Sequence, residues 1–159
     1  GRSGELGFLP LMHPLDPALS DPDKTLGDAF LLSDLFRRLK AEGYDIHQPN
    51  ELAALIETRP ALIDEWIDRG LEYLALPLLA LVYGVDPHAI LVGGRLPEAL
   101  IDRLCEKLET RLQSVRNRLA LPPVLRADLS EDAPALGAAA LAFNDRFIAH
   151  VRGMMRAEA

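Results

Sequence analysis

One acid stands among glycines near the start of the chain, in the run Gly4-Glu5-Leu6-Gly7, and Phe8 follows it. A carboxylate held between glycines at a strand end can accept two hydroxyl hydrogen bonds, a common way to hold a sugar. The plainer reading of Glu5 is an exposed turn acid. A second candidate is Gly93-Gly94, directly after the apolar run Ala89–Val92. Glycines there admit positive φ and the close approach of a ligand. They suit a nucleotide or sugar edge, or simply a tight strand-to-helix turn. The spacing is not G-x-G-x-x-G, and no G-K-[ST] follows, so neither a dinucleotide fingerprint nor a phosphate loop is present. Gly137, in the first turn of a helix, carries the same two readings, with close helix–strand packing as the plainer one.

Other chemistry is excluded by residue type and spacing. The four histidines His13, His47, His88 and His150 are scattered, with no H-E-x-x-H and no metal-ligand spacing. The serines sit in turns and caps, and no G-x-S-x-G elbow occurs. No catalytic residue and no metal ligand is assigned. Cys105 is the only cysteine, so an internal disulfide and a thiolate zinc cage are both ruled out. It reads as a small apolar residue on a helix. The net charge of −7 argues against a nucleic-acid surface on this segment. Its 159 residues fit one domain, or one lobe of a larger one, with a core made mostly of Leu and Ala. No apolar run is long enough to span a membrane, and no secretory signal is visible, so a cytoplasmic location is expected.

The elements that must position these residues follow from periodicity. Residues 4–12 read as a short strand. Residues 12–24, with three prolines and the turn residues Asp16, Ser20, Asp21 and Asp23, read as a loop. Thr25 with Asp28 forms a capping-box start. Leu26, Ala29, Phe30, Leu35, Phe36 and Leu39 then recur at helical spacing up to a stop at Gly43. Asn50 suits the N-cap of a short helix through Glu57, and Thr58 the cap of a longer one. That longer helix carries a wide stripe from Leu62 to Val82, and Pro77 should kink or break it. Ala89–Val92 reads as a short buried strand, and Pro97 as the first turn of the next helix. There, Leu96, Leu100, Leu104, Leu108 and Leu112 form a ladder that suits core packing or a seam for a partner, with core packing the plainer reading, and Arg103, Lys107 and Arg111 a solvated face. Val124–Ala127 reads as a strand. Ser130, Glu131 and Asp132 precede a last helix that begins near Pro134 and runs past Phe143, Phe147 and Met154. The expected class is helix-rich α/β with a few short strands.

Taken in order, G-E-L-G at 4–7, DPHAILVGGRLP at 86–97 and GAAAL at 137–141 resemble the carboxy-terminal part of the ROK family of bacterial repressors and sugar kinases. The resemblance runs over nearly the whole chain, 1–159. It implies the second lobe of an actin-like, hexokinase-type (ribonuclease H-like) fold. An upstream lobe, which carries the family's catalytic aspartate and first phosphate loop, and any DNA-binding domain would lie outside this segment. By resemblance, Glu5 is the glutamate that binds sugar hydroxyls. Gly93 and Gly94 are similar to the adenosine-side glycines, and Gly137 to a nucleotide-side helix start.

Phe8 departs from that pattern. The family motif has a histidine here, which touches sugar and also ligates a structural zinc together with a cysteine-rich loop. The loop at 12–24 has no cysteine, so both halves of the zinc site are missing and a zinc-free branch is implied. Such a departure resembles a sugar-responsive regulator more than a kinase. The expectation is an effector and dimerisation segment, homo-oligomeric, that binds a sugar or sugar derivative and reaches DNA only through an upstream domain. The alternative is the second lobe of an ATP-dependent sugar kinase. In that case Mg-ATP would sit on the glycine turns and the segment alone would not be an enzyme.

Overall fold

The computed structural model describes residues 5–115, 120–128 and 135–141. Gly4, the caps at 130–132 and Pro134, and the last-helix residues Phe143, Phe147, His150 and Met154 lie outside the described residues. The architecture is helix-rich α/β with a few short strands.

The chain opens on a 3-10 turn, Leu6–Phe8, closed by the Phe8 N–H donating to the Glu5 carbonyl at 3.1 Å. The strand expected over 4–12 is thus confined to β1 (Pro10–Leu11). Residues 12–24 are not simply a loop. They hold a second 3-10 turn, Pro17–Leu19, and then β2 (Asp21–Thr25), antiparallel to β1. Pro22 is tolerated because β2 pairs on one side only, an edge position that needs no amide donor there. The Asp28 carboxylate accepts the Thr25 N–H at 2.6 Å and the Thr25 hydroxyl at 2.9 Å, which secures the expected helix start. The helix then proceeds in two pieces. Leu26–Phe30 is 3-10, the backbone extends at Leu31, and α1 runs Leu32–Ala41. Gly43 ends it in the left-handed region at φ 90°.

α2 (Leu52–Thr58) follows a 3-10 turn, Pro49–Glu51, so Asn50 lies inside that turn and does not cap the helix. Thr58 closes α2 instead of opening the next helix, since its hydroxyl donates to the Ala54 carbonyl. Pro60 opens α3 (Pro60–Val85), where its missing N–H costs nothing. α3 continues unbroken through Pro77. β3 (Ile90–Val92) lies parallel to β4 (Val124–Arg126), with Ile90 opposite Val124 and Val92 opposite Arg126. Between them runs α4 (Glu98–Val115), and α5 occupies 135–141.

One apolar core joins α1, α2, α3, α4 and β4 through Leu35, Leu52, Ile63, Ile67, Leu100 and Val124. The Leu ladder of α4 belongs to it: Leu100, Leu108 and Leu112 are buried, and Leu96 and Leu104 pack partly buried against them. β3 is not the buried strand expected. Ile90 and Val92 face the core, while Leu91 is 67% exposed beside Leu125 at 48%. The basic face of α4 is not simply solvated either. Arg103 forms a two-pronged pair with Asp64 at 2.6 and 2.5 Å, and Lys107 pairs with Asp68 at 2.8 Å, so α3 and α4 are laced together. Among the described residues, no helix is long and apolar enough to cross a membrane.

Candidate functional site

The glycine turn lies at the carboxyl end of the parallel pair, the end at which open α/β sheets bind ligands. β3 and β4 run alongside each other, and their pairing extends one residue further: the Ala127 N–H donates to the Val92 carbonyl at 2.8 Å. The segments that leave the two strands therefore stay close. A Cβ on Gly93 would lie 3.1 Å from the Ala127 methyl, a tight contact that glycine avoids. Gly94 has a different reason. Its φ of 149° is in the region that side chains rarely adopt, while nothing lies within 4 Å of where its Cβ would be. The turn is tight at Gly93 and open at Gly94.

α4 begins just past this turn, with the Leu100 and Ile101 amides donating to the Pro97 carbonyl. Arg126, the last residue of β4, reaches across to α4. Its Nε donates to Asp102 at 2.8 Å, and its Nη1 lies 3.1 Å from Glu98. The hydrogen bond to Asp102, and then the charges of Asp102 and Glu98, hold the Arg126 guanidinium pKa above its ordinary value. This pairing ties the sheet end to the helix that follows the glycine turn.

Glu5 belongs to a different substructure. It caps the turn Leu6–Phe8, which packs on the turn Leu26–Phe30. There the backbones approach at two glycines: a Cβ on Gly27 would meet the Gly7 carbonyl oxygen at 3.4 Å. Glu5 is exposed, and Phe8 beside it is 75% exposed. Gly93 and Gly94 thus come together with Ala127, and Glu5 with Gly7 and Gly27. The two groups are bridged by α3, which packs on both Leu26–Phe30 and α4. Gly137 lies in α5 with nothing within 4 Å of an added Cβ, so close packing does not account for it among the described residues.

Sequence reasoning missed the residues that hold the hairpin in place. His13 read as a loop residue, yet its side chain is only 9% exposed. Its Nδ1 accepts the Asp16 N–H at 2.9 Å, and its ring meets Tyr73 edge-on at 5.5 Å between centroids. The Tyr73 hydroxyl donates to the Leu19 carbonyl at 3.0 Å. No periodic pattern announces these contacts. The α3–α4 ion pairs did leave a signal, because Asp64 and Asp68 on one helix match the spacing of Arg103 and Lys107 on the other. Among the described residues, no group of three or more His, Cys, Asp or Glu is placed to hold a metal ion.

No family model matches the chain. Over 111 residues, 69% of its length, it is 32% identical to the uncharacterized protein y4fQ of Sinorhizobium fredii (strain NBRC 101917 / NGR234), of which it covers 28%. The structure superimposes on the crystal structure of a ROK hexokinase from Thermus thermophilus with a TM-score of 0.56 and 26% identity, covering 91% of this chain and 50% of the hexokinase. The chain thus spans half of the hexokinase and under a third of y4fQ. Its fold is ROK-like, similar to that half of a ROK hexokinase.

Proposed function

We propose that the chain is the sugar-sensing effector segment of a ROK-type transcriptional regulator. The observation that carries this reading is a difference in length between two proteins of similar sequence or fold. The 111 residues matched in y4fQ are only 28% of that protein, while a longer match, 91% of this chain, fills 50% of the hexokinase. y4fQ is therefore the longer protein, with room for a domain that the hexokinase lacks. In this reading that extra domain binds DNA and lies upstream, and the acidic balance of the present segment fits a role other than touching DNA itself. Glu5 accepts the sugar hydroxyls, and Phe8 beside it offers an apolar surface in place of a hydrogen-bonding side chain. The effector shifts the balance between two arrangements of the protein, and the segment pairs with a second copy.

A second reading, the carboxy-terminal lobe of an ATP-dependent sugar kinase, is favoured by the likeness to the hexokinase itself. Gly93, Gly94 and Gly137 would then border the nucleotide with its Mg²⁺, and the general base would come from the other lobe.

The experiment is to measure DNA affinity of the full-length protein against its own promoter region, with and without a panel of hexoses and amino sugars. Hexose phosphorylation with ATP is assayed in parallel. A sugar-dependent change in DNA affinity without phosphorylation supports the regulator. ATP-dependent phosphorylation with no DNA binding overturns it in favour of the kinase.

A further inference from the structure

The segment 12–20 connects β1 to β2, holds Pro14 and Pro17, and includes Leu15 at 84% exposure. Such a segment needs something to hold it. The contacts that do so converge on His13 and Tyr73. The His13 N–H donates to the Ser20 hydroxyl at 2.9 Å, joining the two ends of the segment. Inside it, His13 Nδ1 accepts the Asp16 N–H at 2.9 Å and lies 3.4 Å from the Leu15 nitrogen. Asp16 in turn accepts the Ala18 N–H at 2.9 Å. The segment is fastened to α3 by the Tyr73 hydroxyl on the Leu19 carbonyl and by the imidazole against the Tyr73 ring.

An acceptor at Nδ1 requires the ring proton to be on Nε2. That nitrogen faces Glu72 of α3, with Oε2 at 3.7 Å. The imidazole thus meets Glu72 and Tyr73 of α3, while within its own segment the Ser20 hydroxyl accepts the His13 backbone N–H and the Asp16 carboxylate is turned to Ala18. The Asp16 bond copies what an asparagine makes in an Asx turn, where a side-chain oxygen accepts an amide shortly downstream.

Beyond the segment, the path to Glu5 is short. β1 follows the turn Leu6–Phe8 directly, and the Leu26 N–H donates to the Leu9 carbonyl at 2.7 Å. We propose that His13 and Tyr73 are positioning residues. They clamp segment 12–20 onto α3 and so hold the β1–β2 hairpin and the Glu5 turn ahead of it in binding position. The link to Glu5 rests on the sugar-binding reading above; the clamp itself does not.

The test compares the full-length wild type with His13→Ala, His13→Asn and Tyr73→Phe, by amide hydrogen exchange of residues 12–20 and by calorimetric titration with the sugar panel. Asparagine keeps a side-chain acceptor at this position. The expected result is loss of Asp16 and Ala18 protection in His13→Ala and its retention in His13→Asn. Sugar affinity should fall roughly fivefold in His13→Ala and Tyr73→Phe, the effect of one lost hydrogen bond. Sugar affinity should stay at the wild-type level in His13→Asn. Unchanged exchange in His13→Ala overturns the clamp. Lost protection with unchanged affinity in His13→Ala, or affinity lost equally in His13→Asn and His13→Ala, overturns the positioning role. If no sugar binds the wild type, the functional reading fails, and the exchange data still decide the clamp.

Discussion

The ring of Phe30 occupies the space where a side chain at Gly70 would begin: a Cβ built at Gly70 lies 2.4 Å from both Cε1 and Cζ of Phe30. Gly70 is buried in the middle of α3, a position where alanine is ordinarily favoured by about 1 kcal/mol. Phe30 cannot yield freely, because its ring stands edge-on to Trp66, 5.7 Å between centroids at 90°.

Overpacking of this kind costs about 1–3 kcal/mol, enough to outweigh the helix preference. Gly70→Ala is therefore expected to destabilise the protein by up to about 2 kcal/mol in urea unfolding. Combined with Phe30→Ala, it should cost less than the sum of the two single changes, because the double variant has no ring left to clash with. Strict additivity would mean that the two residues do not share this space.

The Asp64–Arg103 pair sets a pH dependence. The hydrogen bond from Arg103, aided by Lys107, holds the Asp64 carboxyl below its ordinary value despite the opposing effect of burial. A carboxylate whose pKa is lower in the folded state contributes stability above its unfolded pKa, about 3.9, and loses that contribution as the pH falls through the lowered folded value. Asp64→Asn should cost about 1 kcal/mol at pH 7, the upper range for a partly exposed but two-pronged pair. It should also flatten the acid limb of the stability profile below pH 4 relative to wild type. Urea titrations from pH 2 to 7 measure both, and equal acid limbs would show that the pair is silent in solution.

The two glycines of the turn should respond differently to alanine. At Gly94 the obstacle is backbone conformation, and Gly94→Ala is expected to cost about 1–3 kcal/mol. At Gly93 the obstacle is a single methyl at 3.1 Å, which Ala127→Gly would remove. The pair Gly93→Ala with Ala127→Gly should regain most of the stability lost in Gly93→Ala alone, while Ala127→Gly should do nothing for Gly94→Ala. Thermal unfolding of the five variants checks this pattern.

Much of the scaffold was legible from periodicity. The Leu ladder of α4 lies in the core, Gly43 stops α1, and the glycine pair follows a strand. The errors fall where local chemistry competes with period. Thr58 looked like a start and is an end, because its hydroxyl finds the Ala54 carbonyl one turn back. Pro77 looked like a break, yet the Leu71–Val82 face packs on both sides of it and carries α3 through. Residues 12–24 looked like a loop because prolines and aspartates mark turns, while the pairing of β2 to β1 depends on a partner strand that composition does not reveal.

The sequence by itself determined the helix-rich α/β class, the apolar faces and the candidate residues Glu5, Gly93, Gly94 and Gly137, since those depend on residue type and short spacing. Only the tertiary structure decided that Gly93 lies tight against Ala127, that Arg126 ties the sheet end to α4, and that His13 is a nearly buried acceptor against Tyr73. Each of those contacts joins segments that periodicity does not relate. Hydrogen bonds and close packing act over a few ångströms of space, whatever the distance along the chain.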